Sequence, residues 1–360
     1  MARAYNFSAG PAILPTEVLL EAQKGLLDFK GTGMSIMEMS HRGKEYTAVH
    51  EEAVANLKTL LKVPDNYSIL FMTGGATSQF SFVPMNLLGA GQSADYINAG
   101  SWGAGAVKAA KKLGKINVIA DTSKEIPTRM PANSELKFTD GAAYVHITSN
   151  ETIAGTQVKE FPKTQAPLVA DMSSDILSRP IDVSQFGLIY AGAQKNLAPA
   201  GVTLVIIRND LAELAPKETL PELFQYRAFI EENSLKNTPP TFPIYIIMLV
   251  TRWLMAKGGL EGMQKINDAK AAKLYAAIDA SSFYKGTAVK EYRSPMNVTF
   301  RLPTEELEEA FIKAASKLGM TSLKGHRSVG GIRASIYNAF PMEGIDALVA
   351  FMKDFEAKNS

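Results

Sequence analysis

The run Gly187-Leu-Ile-Tyr-Ala-Gly-Ala-Gln-Lys-Asn-Leu-Ala-Pro-Ala-Gly-Val-Thr-Leu-Val-Ile-Ile207 holds two short apolar stretches, 187–192 and 202–207, parted by a polar break that contains Lys195. Short uninterrupted apolar stretches of this kind read as strands of a buried sheet, which puts Lys195 at a sheet edge. An amine there is partly desolvated, so its pKa falls and its lone pair becomes free for Schiff-base chemistry with an aldehyde. A lysine in a loop is ordinarily solvent decoration; the surroundings of this one make it chemical. Upstream, Asp171 closes another apolar run and offers a carboxylate to the other end of an aldehyde cofactor.

Outward from that run, short apolar segments alternate with Ala- and Lys-rich segments of helical period from about residue 16 to 260. That alternation predicts an α/β domain with a mostly parallel sheet. Strands are expected at 68–73, 117–120, 142–147 and 168–170. A tight turn is expected at 74–77, then a helix over 78–88 that Pro84 should kink or break. A second helix is predicted over 102–113, with lysines at its end that suit the helix dipole. The stretch 233–243, rich in Asn, Thr and Pro, reads as an irregular loop before a helix over 244–257 that Gly258 and Gly259 end. Beyond it come a helical segment to residue 280, a strand at 296–302, a helix over 304–318 capped by Thr304, and a strand at 333–336. The expected division is a large domain over 16–260 and a smaller α+β domain made of 1–15 and 261–360.

Composition narrows the function. The chain has 360 residues, 46% hydrophobic and 21% charged, with 38 basic against 36 acidic side chains. A net charge of +2 lacks the basic excess that nucleic-acid binding demands, although a few arginines can still hold small anions. With no cysteine, thiolate metal sites, disulfides and Cys nucleophiles are excluded, and no metal is expected. The first fifteen residues contain no apolar core of a signal peptide, and the longest apolar stretch, 244–250, is far below the ~20 residues of a membrane span. The reading is a cytoplasmic protein with no membrane partner.

Gly74, Gly75, Ala76 and Thr77 lie between an expected strand and helix, where backbone N–H groups and the helix end converge on an anion such as phosphate. Taken alone, the turn reads equally well as a connector. It is no Walker loop and lacks the spacing of a dinucleotide fingerprint, and no acidic residue stands out to grip a ribose, which weakens a dinucleotide-dependent oxidoreductase. Trp102 opens a helix where a ring can stack on a planar cofactor; the plain alternative is an aromatic in the core. Thr152, in the polar loop 148–155, has a hydroxyl in reach of a phenolic oxygen or is simply a turn residue. Asp171 alone would be a cap. Together they supply an anion cradle, an aromatic plate, a carboxylate and an amine near strand ends, where α/β proteins build sites.

Six motifs in order, Asn6-Phe-Ser-Ala-Gly-Pro-Ala-Ile-Leu-Pro15, Ser40-His-Arg-Gly43, Thr73-Gly-Gly-Ala-Thr-Ser-Gln-Phe80, Ala170-Asp-Met-Ser-Ser174, Gly192-Ala-Gln-Lys-Asn196 and Gly325-His-Arg-Ser-Val-Gly-Gly331, resemble the phosphoserine aminotransferase family of class-V aminotransferases. The resemblance runs from residue 6 to near the C-terminus. It implies a fold-type I pyridoxal-phosphate enzyme and a homodimer with shared active sites. It also implies reversible amino transfer from glutamate to 3-phosphohydroxypyruvate, giving phosphoserine and 2-oxoglutarate in serine biosynthesis; similar enzymes also use 4-phosphohydroxythreonine of vitamin B6 synthesis, which the sequence leaves open here. By resemblance, Lys195 condenses with pyridoxal 5′-phosphate and shuttles the proton between substrate Cα and cofactor C4′, and Asp171 keeps the pyridine nitrogen protonated. Trp102 stacks on the ring and Thr152 bonds its phenolic oxygen. Ala76, Thr77 and Gln194 hold the phosphate, joined by Asn237 and Thr238 of the second subunit. His41, Arg42, His326 and Arg327 surround the distal anion of the substrate, and Arg333 takes its α-carboxylate. His50 and His146 are left as structural.

Some family members carry an arginine in the phosphate turn where this chain has Thr77, so Arg42 and the His326–Arg327 pair are expected to grip the substrate phosphate without it. Two other readings compete. A serine- or alanine-glyoxylate aminotransferase of the same fold needs one carboxylate site and no phosphate site. A non-catalytic scaffold needs neither Lys195 nor Asp171. A cysteine desulfurase is excluded because no cysteine is present to accept sulfur.

Overall fold

The computed structural model describes residues 3–216 and 218–359. The large sheet has seven strands: β1 (Tyr67–Met72), β2 (Ser93–Asn98), β3 (Lys115–Asp121), β4 (Val145–Thr148), β5 (Leu168–Asp171), β6 (Leu188–Gly192) and β7 (Thr203–Arg208). Their order across the sheet is β1-β7-β6-β5-β4-β2-β3. All neighbours are parallel except β7, which runs antiparallel to both β1 and β6. The quoted run is therefore a β6–β7 pair joined by a turn, Thr203 lying opposite Gly192. A turn is enough to join antiparallel neighbours, whereas a parallel pair needs a crossover. That is why Lys195 sits in a short connection between two core strands.

The uninterrupted apolar runs follow from burial on both faces. Leu204 and Ile206 of β7 enter one core, beneath helices α1 (Thr16–Leu27), α2 (Lys44–Leu61) and part of α5 (Thr241–Ala256). Val205 and Ile207 enter the other, against α3 (Gly75–Leu87) and α4 (Ser101–Ala110). With no solvent face, no strand position is left for polar alternation.

The third core belongs to the C-terminal part. There β8 (Asn297–Arg301) and β9 (Ile332–Ser335) pair antiparallel, covered by α7 (Glu305–Lys317) and α8 (Met342–Asn359). The N-terminal segment joins this part: Tyr5–Asn6 pair with Met320–Thr321, and Phe7 and Ile13 are in its core. Helix α6 (Gly259–Asp279) bridges the cores, with Leu260 and Met263 in the first and Leu274 and Ile278 in the third. No described helix is long and apolar enough to cross a membrane.

Two local expectations change. Helix α3 starts at Gly75, so Ala76 and Thr77 belong to its first turn and not to a separate tight turn. Left-handed Gly74, at φ 92°, and Gly75, at φ 68°, allow that early entry. The helix then passes through Pro84 without a break, because only one i→i−4 bond is lost and Leu88 N still donates to Pro84 O at 3.1 Å.

Lys270 of α6 is fully buried, its Nζ donating to Ile336 O at 3.0 Å, Tyr337 O at 2.7 Å and Asn338 O at 3.4 Å. Burial lowers its pKa from 10.5 to about 7. Between those values the unfolded chain holds a proton that the folded chain releases, so stability rises with pH from about 7 towards 10.5, and below 7 the full cost of the buried charge applies. The expected result is that wild-type stability gains on that of Lys270→Met over this range, by about 1 kcal/mol per pH unit where steepest. Urea unfolding of both proteins at pH 7 and 9.5 checks it; parallel curves would refute it.

Candidate active site

Lys195 lies in the β6–β7 turn, beyond the β5 end that carries Asp171. It is 8% exposed, and its Nζ donates to Thr152 Oγ1 at 2.7 Å. Burial lowers its pKa to about 8, against the pull of Asp171 and Glu151, which favour the charged form, while Arg333 adds to the lowering. The Trp102 ring centroid is 5.6 Å from Nζ. Lys195, Thr152, Trp102 and Asp171, chosen from four separate stretches of sequence, thus share one electrostatic neighbourhood. The N-terminal segment closes over it: Ala12 N donates to Gln194 O at 2.8 Å, and a Cβ on Gly10 would stand 3.7 Å from Lys195 Cε.

Asp171 is buried, and burial raises its pKa. Its Oδ1 accepts from Ser173 N at 2.9 Å and Ser173 Oγ at 2.6 Å, while Oδ2 accepts from no described residue. The Ser173 hydroxyl accepts in turn from Gly192 N at 3.0 Å, tying the carboxylate to the end of β6. A buried carboxylate with one oxygen fixed and the other left over fits a cationic ring nitrogen, which would supply the missing charge.

The anion cradle is better formed than a turn would be. The cap residue of α3 is Gly74, so no side chain caps the helix, and the first-turn N–H groups of Ala76 and Thr77 have no intrahelical acceptor. A Cβ on Gly192 would stand 2.9 Å from Gln194 Oε1 and 3.5 Å from Ala76 N, so these two polar groups face one small volume. Free N–H groups at the positive end of a thirteen-residue helix suit a phosphate. The residues present therefore fit pyridoxal 5′-phosphate at each of its polar ends.

The cationic side chains differ in how they are held. Arg42, Arg327 and Arg333 have no carboxylate within 4.0 Å among the described residues, unlike Arg129, Arg208, Arg252, Arg293 and Arg301. Arg333 on β9 is half-buried, its Nε is unpartnered, and burial lowers its pKa. His326 Nδ1 accepts from Ser328 N at 3.3 Å, and burial, Arg333 and Arg327 lower its pKa. The loop carrying it is held by Arg301, which donates to Val329 O at 3.1 Å, and by Glu308, which accepts from Gly331 N at 3.1 Å. The buried His41 Nε2 has no partner. Asn237 and Thr238 make no hydrogen bond to the cradle within this chain; Asn237 Nδ2 donates to Thr238 O at 3.2 Å.

Several participants escaped the sequence reading. Glu151, fully buried, accepts from Trp102 N at 3.1 Å and Gly103 N at 2.8 Å. Tyr337 donates to Ala9 O at 2.8 Å and accepts from Asn297 Nδ2 at 3.1 Å, fastening the two parts of the small core beside Thr152. Ser173 had a readable signal, an Asp followed two residues later by Ser, the pattern of a side-chain-closed turn. Glu151 and Tyr337 had none, because their partners are distant in sequence.

The family model described as Aminotransferase class-V matches residues 4–348. The phosphoserine aminotransferase of Geobacillus kaustophilus is 56% identical over 359 residues, 99% of each chain, and that of Niallia circulans is 54% identical over 356 residues, 98% of each. Among solved structures, a phosphoserine aminotransferase from Bacillus circulans subsp. alkalophilus superposes with a TM-score of 0.96 at 52% identity, covering 99% of both chains. The pyridoxal-phosphate-bound phosphoserine aminotransferase of Trichomonas vaginalis gives 0.94 at 42% identity, covering 98% of this chain and 100% of that one. With a buried low-pKa lysine, a half-satisfied aspartate and an open helix end in the same arrangement of strands, the chain belongs to the class-V aminotransferases, in the phosphoserine aminotransferase family.

Proposed function

We infer that this chain is a pyridoxal-phosphate-dependent aminotransferase that moves an amino group reversibly between glutamate and 3-phosphohydroxypyruvate, giving 2-oxoglutarate and phosphoserine. The observation that carries the reading is a buried, easily deprotonated Lys195 with Arg333 in its electrostatic neighbourhood, the Nε of that arginine being unpartnered. Pyridoxal 5′-phosphate supplies an aldehyde that takes the amino group and a ring that accepts the electron pair left on the substrate Cα. Lys195 would hold it at rest and, as a free amine, would move a proton between substrate Cα and C4′. Asp171 would hold the ring nitrogen protonated, Thr152 would orient the phenolic oxygen, Trp102 would cover the ring, and Ala76, Thr77 and Gln194 would hold the phosphate.

The substrate carries two anions, and the arginines divide accordingly: Arg333 takes the α-carboxylate, while Arg42, His41, His326 and Arg327 meet the distal phosphate. Thr77 adds no charge there. The homologous hydroxy amino acid phosphate of vitamin B6 synthesis presents the same two anions to the same groups. Asn237 and Thr238, which make no hydrogen bond to the cradle of their own chain, fit the reading of a homodimer in which each subunit completes the other's phosphate cradle, and the setting is cytosolic. Removing Arg42 deletes a charge-assisted contact worth about 1.5–3 kcal/mol. Arg42→Ala is expected to raise KM for 3-phosphohydroxypyruvate by roughly ten- to a hundredfold, with little change for unphosphorylated hydroxypyruvate. Assaying both acids with glutamate checks this; equal use of both by the wild type would favour a glyoxylate-type aminotransferase.

A further inference from the structure

Glu151 is a buried acid beside Lys195 and Asp171 to which the chemistry above gives no task. Its carboxylate reaches across to α4 and takes two of the free N–H groups of the first turn, Oε2 from Trp102 and Oε1 from Gly103. Such a bond normally comes from the side chain of the cap residue. Here the cap residue is Gly100, and the glycine is required: a Cβ there would lie 2.5 Å from Glu151 Cδ, and one on Gly103 would lie 3.3 Å from Glu151 Oε1. The helix has given up its own cap to admit a remote one.

The connection matters because of the neighbours along the chain. Glu151 ends the short strand Asn150–Glu151, whose hairpin with Thr156–Gln157 is closed by Gly155 N donating to Glu151 O at 2.8 Å. The next residue, Thr152, holds the Lys195 amine. Two adjacent side chains on one hairpin therefore hold the amine and the aromatic plate. Trp102 is 37% exposed, so packing covers only part of it, and its backbone N–H adds a tether to Glu151. We propose that Glu151 is a positioning residue that fixes the Trp102 ring relative to the Lys195 amine, where it would cover the cofactor. Burial pushes the Glu151 carboxyl up to about 7, while the Gly103 and Trp102 N–H groups hold it down, as a charge sustained by a helix end would be.

This rests on the reading that Trp102 faces the cofactor, and its test separates the two. Glu151→Gln is nearly isosteric, but turns an NH2 towards one of the two N–H groups. In reconstituted holoenzyme it is expected to raise the cofactor dissociation constant about tenfold and to weaken the circular dichroism induced in the visible cofactor band. In a Trp102→Ala background the same substitution should change either by less than twofold, because the plate it positions is gone. Gly100→Ala, which displaces the carboxylate from the other side, should reproduce the effect and keeps the test independent of any one variant's folding. An equal effect of Glu151→Gln in both backgrounds, or none in the native one, would overturn the proposal. Peptide mapping after borohydride reduction, showing the cofactor still on Lys195, would establish that the proposal and not the cofactor reading had failed.

Discussion

Lys195→Ala is expected to lower kcat for amino transfer by more than about 10⁴-fold, because on the proposed function one side chain both attaches the cofactor and carries the proton, and general acid–base transfer alone contributes up to about that factor. No neighbour can stand in. Lys270 is committed to three carbonyls in the α6 contact, and Lys159 binds Gln157 Oε1 and Arg293 O. Lys195→Arg should fail nearly as badly, since a guanidinium keeps the charge but does not release its proton near neutral pH. The visible band of a protonated imine should vanish in both variants. In the wild type, attachment requires the free amine, so cofactor uptake by apoprotein should accelerate as pH rises and level off above about 8. At pH 7 roughly a tenth of the amine is free with that pKa, against about one part in 3,000 for an exposed lysine. Borohydride reduction and peptide mapping that placed the cofactor on another residue would end the account.

The middle of the sheet was legible because β6 and β7 are buried on both faces: 187–192 and 202–207 read as strands, and the observed β6 and β7 begin or end within one residue of them. Strand direction was legible only in the short connection after 192, which leaves no room for a crossover, and not in the strand itself. Nothing in 202–207 says that β7 is reversed, since side-chain alternation is the same either way up. The site was legible where one residue carries its own signal, as with Lys195 in a polar break or the glycines before α3. It was illegible where function comes from a contact across the fold. Glu151 reaches Trp102 over 49 positions and Tyr337 reaches Ala9 over 328, and neither residue type at neither position announces this. The same holds for Gly100, which reads as a loop glycine and proves to be the space that a carboxylate fills. The Thr77 N–H reads from the sequence as part of an anion cradle in a turn, and it lies instead in the first turn of α3.

Asp171→Asn should cost less than losing the lysine and still be severe, lowering kcat by about 10²- to 10⁴-fold. The amide matches the carboxylate in shape, and its oxygen can still accept from Ser173 N and Oγ, so the floor of the site should stay in place. What is lost is the negative charge opposite the ring nitrogen. Removing one member of a buried charged pair costs about 3–5 kcal/mol, which in a transition state is the stated loss of rate. A second consequence has the opposite sign. Asp171 is the first of the charges that hold the Lys195 pKa up against burial, so in Asp171→Asn that pKa should fall below its value of about 8 and the amine should be freer, not scarcer. Cofactor uptake at pH 7 should therefore be undiminished or faster while turnover collapses. A spectrophotometric titration of the cofactor band beside single-turnover kinetics with glutamate reads both. If the titration moved upward, or if turnover fell only in proportion to cofactor loss, Asp171 would be holding the fold and not the ring proton.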